Sequence, residues 1–331
     1  LHLGRRPVRP LIDSTHSIQM ATFAFVFPGQ GSQSVGMLDA WGDHPVVKAT
    51  LDEASQSLGE DVAELIHSGP ADKLGLTENT QVVMLTAGVA CYRAWIAEGG
   101  APPVAVAGHS LGEYSALVAA GALSLADAVP LVRFRAQAMQ AAVPVGAGAM
   151  VAVLGLEADA VRDCCGRAAA ESGQVVSAAN FNEPKQIVIA GTKDAVAKAS
   201  ELLKAAGAKR AMPLPVSAPF HSALMKPAAD RLVERLQAVA LNTPAISVVN
   251  NIDVAVETDP ARIRDALYRQ AFGPVRWVEV IQALQARGVT HVVECGPGKV
   301  LSRMVSRIVP ELTGAALFDP ASLAETRGLL A

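Results

Sequence analysis

Apolar and polar positions fall in blocks along this chain, and the blocks read as strands and helices in turn. Phe23-Ala24-Phe25-Val26-Phe27 is an apolar run of buried-strand length, and it stops at the loop Pro28-Gly29-Gln30-Gly31-Ser32-Gln33. Helical spacing follows over residues 46–58 and 61–67, then over a longer, very apolar stretch at 80–97. Gly99-Gly100-Ala101-Pro102-Pro103 breaks that helix and leads into a second apolar run, Val104-Ala105-Val106-Ala107. Further helices are predicted over 113–120 and 124–142. Strands alternating with helices predict an α/β fold with a mainly parallel sheet.

The pattern shifts at Val143-Pro144-Val145-Gly146-Ala147-Gly148. Beyond it the predicted order is strand 150–154, helix 158–171, strands 175–179 and 186–190, helix 193–206 and strand 210–213. This is the β-α-β-β-α-β order of a ferredoxin-like unit. Asn180-Phe181-Asn182-Glu183-Pro184 reads as the hairpin connection between its middle strands. The first pattern then resumes with helix 222–239, strand 246–249, helices 260–270 and 275–287, and strand 291–294. The expected organisation is a large α/β domain built from residues 20–143 and 216–331, interrupted by a small α+β subdomain at 144–215. Residues 1–19, with Arg5, Arg6 and Arg9 but no apolar signal core, read as a cloning-derived or upstream-derived tail.

Composition narrows the function classes. The chain has 331 residues, 51% hydrophobic and 18% charged, as expected of a packed soluble protein. A net charge of -3 gives no sign of nucleic-acid binding, and no apolar run reaches membrane-spanning length. The four cysteines, Cys91, Cys164, Cys165 and Cys295, have neither C-x-x-C spacing nor a nearby histidine pair. Neither a disulfide framework nor a metal site is expected, and a reducing cytoplasm fits.

The candidate chemistry centres on Gly108-His109-Ser110-Leu111-Gly112, a G-x-S-x-G pentapeptide between a predicted strand and a predicted helix. That context predicts a nucleophile elbow, with a crowded turn in which a Cβ at either glycine would clash. Free N–H groups at the start of the following helix could stabilise an oxyanion there. A serine hydroxyl needs a base. Of the seven histidines, His109 is bound into the turn and is a poor base for its neighbour; His221, at a loop-to-helix junction, is the better candidate. Asp127, Asp163 and Asp194 lie between Ser110 and His221, where a hydrolase would carry its third group, yet none is well placed, and a backbone carbonyl could orient the imidazole instead. Arg133 and Arg135 share a largely apolar helix. Either could be a solvated or ion-paired arginine, or a buried one awaiting an anion.

Taken together, Phe27-Pro28-Gly29-Gln30-Gly31-Ser32-Gln33, the Ser110 elbow with Glu113-Tyr114, residues 133–140, Ala218-Pro219-Phe220-His221, Arg269-Gln270 and Glu294-Cys295-Gly296-Pro297-Gly298 closely resemble the bacterial malonyl-CoA:acyl carrier protein transacylases of type II fatty acid synthesis. The resemblance spans residues 23–317. It implies an α/β-hydrolase-like core with a ferredoxin-like insert, and malonyl transfer from malonyl-CoA to an acyl carrier protein through a Ser110 ester, by a ping-pong route that releases CoA. It implies Ser110 as nucleophile, His221 as base, the Gln270 carbonyl as its orienter, and the backbone N–H groups of Gln30 and Leu111 as oxyanion hole. Arg135 would hold the malonyl carboxylate, with Phe220 and His109 beside the substrate. No tightly bound cofactor and no metal are expected, nor a nucleic-acid or membrane partner, and the enzyme is expected to be a cytoplasmic monomer. Lys209 and Arg210, with Lys226 nearby, are candidate docking residues for the acidic carrier protein. A serine thioesterase, an inactive carrier-binding scaffold and a polyketide acyltransferase are the competing expectations.

Overall fold

The computed structural model describes residues 21–216 and 218–331; the expected tail at 1–19 lies outside them. In chain order the first half comprises strand β1 (Phe23–Phe27), helices α1 (Pro45–Leu58), α2 (Val62–Ser68), α3 (Ala71–Leu74) and α4 (Thr77–Ala97), strand β2 (Ala105–Gly108), and helices α5 (Gly112–Ala119) and α6 (Leu125–Ala141). There follow β3 (Gly148–Leu154), α7 (Ala158–Ser172), β4 (Val176–Glu183), β5 (Gln186–Thr192), α8 (Lys193–Ala205) and β6 (Arg210–Pro213). The chain continues through α9 (Lys226–Ala238), β7 (Ser247–Val249), α10 (Pro260–Gln270), α11 (Trp277–Ala286), β8 (His291–Cys295), α12 (Val300–Ile308), β9 (Thr313–Leu317) and α13 (Pro320–Leu330).

The larger sheet has the order β7-β2-β1-β8-β9, and every pairing in it is parallel. A parallel sheet is covered on both faces, and β1 reflects this by alternating its side chains. Phe23, Phe25 and Phe27 enter a core with α4, α5 and α6, while Ala24 and Val26 enter another with α11 and α12. Phe23 and Phe25 meet Trp95 edge-on, an arrangement that adds about 0.5–1.5 kcal/mol per pair beyond simple burial. The second sheet is antiparallel, with the order β4-β5-β3-β6.

Three of the boundaries that differ from the sequence reading bear on the site. Residues 180–183, expected as a hairpin connection, belong to β4. There the strand is bulged, and Val275 pairs alongside it, donating to the Ala179 carbonyl (2.8 Å) and accepting from the Phe181 N–H (2.9 Å). The same pairing keeps Val275 out of α11, which starts at Trp277 rather than 275. The helix expected from 222 starts at Lys226, after a 3-10 turn over Ala223–Met225. The sequence reading left α3, α12, β9 and α13 unassigned. Small residues make β9 a weak strand signal. Its Gly314 is required by close packing, since a Cβ there would stand 2.3 Å from the Ser302 carbonyl oxygen.

Candidate active site

The carboxyl ends of β1, β2 and β7 converge on one crevice, where ligands of parallel α/β sheets bind. Between β2 and α5 the chain turns so sharply that Ser110 takes φ +53°, in the left-handed region. The flanking glycines are obligatory. A Cβ on Gly108 would lie 1.9 Å from the carbonyl carbon of Gly112, and one on Gly112 would lie 2.1 Å from the Phe27 oxygen. Asn251, just beyond β7, holds the turn from outside: its Oδ1 accepts from the Ser110 N–H (2.8 Å) and its Nδ2 donates to the Gly108 carbonyl (2.7 Å).

His221 also has a positive φ, +59°, and its ring reaches the serine: Ser110 Oγ and His221 Nε2 are 2.6 Å apart. Two strained non-glycine residues facing each other mark a site whose surroundings over-determine its geometry. His221 Nδ1 lies 3.0 Å from the Gln270 carbonyl oxygen and 3.2 Å from that of Gly273. Nδ1 therefore carries the hydrogen and donates, leaving Nε2 to accept from the serine hydroxyl. Burial, then the Arg135 charge, push His221 down to about 3, so the resting imidazole is neutral. Two of the acids weighed from sequence have other partners: Asp127 bonds Ser124, and Asp163 pairs with Arg167.

The two arginines separate. Arg133 makes a forked pair with Glu60 (3.2 and 2.9 Å). Arg135 is 1% exposed, and its guanidinium meets only neutral oxygens: Gln81 Oε1 at 2.7 Å, Gln270 Oε1 at 3.0 Å and Ser110 Oγ at 3.4 Å. Among the described residues it makes no ion pair within 4.0 Å, and its Nε has no partner. Burial lowers its pKa, while Tyr114 and Glu113 raise it. A buried guanidinium without a carboxylate beside it is a site for an anion.

Ser110, His221, Arg135, Gln30, Leu111, His109 and Phe220 all line one cavity of about 190 Å³. That volume is small beside ordinary ligand pockets and suits a short acyl group. Met150, Asn180, Asn182, Val188 and Leu214 of the second sheet and its exit close it from above. His109 Nε2 donates to Asn182 Oδ1 (2.7 Å) and the ring packs on Trp277; burial lowers its pKa, consistent with a structural neutral ring. Lys209 and Arg210 are exposed at the start of β6, and the cavity is reached only at Leu214, beyond its far end. Lys226 is bonded to Asp230 at 2.6 Å.

Sequence reasoning missed Gln81, Asn182, Asn251 and the side chain of Gln270. One signal was available: Asn250-Asn251 is an amide pair at the carboxyl end of a parallel strand. Among the described residues no group of three His, Cys, Asp or Glu side chains is placed to hold a metal, the four cysteines are free and buried, and no helix is long and apolar enough to cross a membrane.

A family model, the acyl transferase domain, matches residues 24–323. The malonyl CoA-acyl carrier protein transacylase of Escherichia coli (strain K12) is 54% identical over 306 residues, 92% of this chain and 98% of that protein. A crystal structure of an acyl-carrier-protein S-malonyltransferase from Burkholderia pseudomallei superposes with a TM-score of 0.90 at 65% identity, covering 92% of this chain and 99% of that one. A type II polyketide acyl-carrier protein in complex with its malonyl-transacylase offers a similar match, with a TM-score of 0.90 and 48% identity over 92% of this chain and 98% of that one.

Proposed function

The chain belongs to the acyl transferase family, among the malonyl-CoA:acyl carrier protein transacylases, and we propose that it moves a malonyl group from malonyl-CoA to the phosphopantetheine thiol of an acyl carrier protein by a ping-pong route, for fatty acid synthesis. The observation that carries the reading is Arg135, a buried guanidinium 3.4 Å from the nucleophile with no carboxylate of its own.

His221 Nε2 takes the Ser110 proton as Oγ attacks the thioester carbonyl. The N–H groups of Gln30 and Leu111 receive the oxyanion. The tetrahedral intermediate collapses, the C–S bond breaks, and His221 returns the proton to CoA sulfur, leaving malonyl-Ser110. The carrier thiol then gives its proton to His221 and attacks the ester; Ser110 Oγ leaves and is reprotonated. The Gln270 and Gly273 carbonyls hold the imidazolium that forms at each step, in place of a carboxylate.

We read the two sheets as an α/β-hydrolase-like core, residues 20–143 and 216–331, with a ferredoxin-like insert at 144–215 that roofs the cavity. A second cavity of about 620 Å³, lined by Leu76, Thr77, Val145 and Pro215, shares Gln30 and Val216 with the first. It leads outward past two exposed apolar side chains, Leu76 and Val145. We assign it to the pantetheine arm common to both thiols. Leu76→Glu should then raise KM severalfold for malonyl-CoA and carrier protein alike, and leave a truncated N-acetylcysteamine thioester unaffected. Lys209 and Arg210 remain candidates for carrier docking, and unaltered carrier affinity after reversing both charges would remove them.

Intact-protein mass after brief mixing with malonyl-, acetyl- and methylmalonyl-CoA tests the main reading. A malonyl adduct on wild type, absent in Ser110→Ala and discharged by holo carrier protein, is the expected result. CoA release without adduct or transfer would instead mean a thioesterase, and no reaction with any donor would mean a carrier-binding scaffold.

A further inference from the structure

Glu113 takes no part in the acyl-transfer steps, yet it is 2% exposed and sits at the centre of the site's hydrogen bonds. Its Oε2 accepts from the Asn251 N–H (3.0 Å) and from Gln270 Nε2 (3.0 Å). The same Nε2 donates to the Ser110 carbonyl at 2.9 Å. Both amide hydrogens of Gln270 are thus committed, and its Oε1 is left facing Arg135. The reverse amide orientation would set Nε2 against the guanidinium and Oε1 against a carboxylate and a carbonyl, so it is excluded. Gln81 Oε1 grips the guanidinium at its other nitrogen. Two amide oxygens therefore aim Arg135 without neutralising it, and Gln270 stands between Glu113 and the cation that would otherwise pair with it.

We propose that Glu113 is a positioning residue for substrate selection: by holding the Gln270 amide in one orientation, its Oε2 sets the Arg135 guanidinium where an acyl carboxylate can meet it. The requirement is for an acceptor at that point, not for a charge. This inference rests on the acyl-transfer reading above.

The test is the ratio of kcat/KM for Ser110 acylation by malonyl-CoA over acetyl-CoA, read with the melting temperature in the same variants. Glu113→Gln can present its amide oxygen to both donors and is expected to keep the ratio within about threefold of wild type. Glu113→Ala frees the Gln270 amide and is expected to lower the ratio roughly tenfold or more, the scale of a hydrogen bond to a charged group. Gln270→Met keeps the backbone carbonyl for His221 and removes the bridge, and should lower the ratio similarly. The Glu113→Ala/Gln270→Met double variant should fall no further, because both act through one contact. Should Glu113→Ala not fold, Glu113→Asp, which withdraws the acceptor by one methylene, takes its place with the same expectation. An unchanged ratio in the folded Ala or Asp variant, additive effects in the double variant, or a collapsed ratio in Glu113→Gln would each overturn the proposal. Absence of any malonyl adduct on wild type would instead strike the function reading beneath it.

Discussion

At Arg135 and Arg133 two identical side chains two positions apart meet opposite fates. Two residues along a helix is about 200° of rotation, so one of the pair faces the core when the other faces solvent. The apolar pattern of the helix left the alternatives open and the family resemblance implied Arg135; the packing of α6 on α4 places Arg135 in the interior and Arg133 against Glu60. Arg135→Ala should lower malonyl kcat/KM by about 10–150-fold, the equivalent of about 1.5–3 kcal/mol for hydrogen bonds to a charged group, and shift preference towards acetyl-CoA. Parallel acylation assays with the two donors check this, and unchanged malonyl transfer would remove Arg135 from its role. His221 carries a second prediction. Held down to about 3, it remains a free base well below the ordinary histidine range. Acylation kcat/KM should therefore stay flat as pH falls from 7 to 5, where an unperturbed imidazole would lose most of its activity; a midpoint near 6.5 would contradict the geometry. Protonation of Glu113 over the same range leaves Oε2 accepting and should not disturb the plateau.

Among the elements, the β2–α5 turn was the most legible from sequence, because its constraint is local: a strand, two glycines and a helix within a few residues. The structure adds what each glycine avoids. Gly112→Ala would drive a methyl into the Phe27 carbonyl, 2.1 Å away, and pull β1 from the elbow. It should lower the melting temperature by several degrees and reduce acylation at least tenfold, checked by thermal unfolding and CoA release; a wild-type-like variant would show the turn to be more yielding than its contacts imply. Strand β4 was the least legible. Asn180, Asn182, Glu183 and Pro184 carry turn chemistry, and pairing with β5 on one side and Val275, some ninety residues away, on the other makes residues 180–182 extended. The same distant pairing shortened α11 at its start.

Over the whole molecule, two buried titratable groups pull stability in opposite directions with pH. His221 binds its proton less tightly folded than unfolded, so its contribution is complete above about 6.5 and fades as pH falls towards 3. Glu113, raised to about 7 by burial, holds a proton that the unfolded chain releases near 4.5, so its contribution fades as pH rises from 4.5 through 7. Glu113→Gln removes only the second effect. Its stability relative to wild type should increase between pH 5 and pH 7.5 in urea denaturation, and a pH-independent difference would mean that the carboxylate is not desolvated as described. The chain's own pattern determined the α/β alternation, the β-α-β-β-α-β order within residues 144–215, the elbow and the Ser–His pairing, since these depend on hydrophobic period, turn chemistry and the scarcity of alternative bases. Tertiary structure decided what no pattern in the chain could: which arginine is buried, that carbonyls of Gln270 and Gly273 stand where a triad acid would, and that Glu113, Asn251 and Gln270 lock the site. Of these, the family resemblance had implied Arg135 and the Gln270 carbonyl. Those contacts join residues 49 to 160 positions apart, and a hydrogen bond across such a distance leaves no periodicity in either segment that makes it.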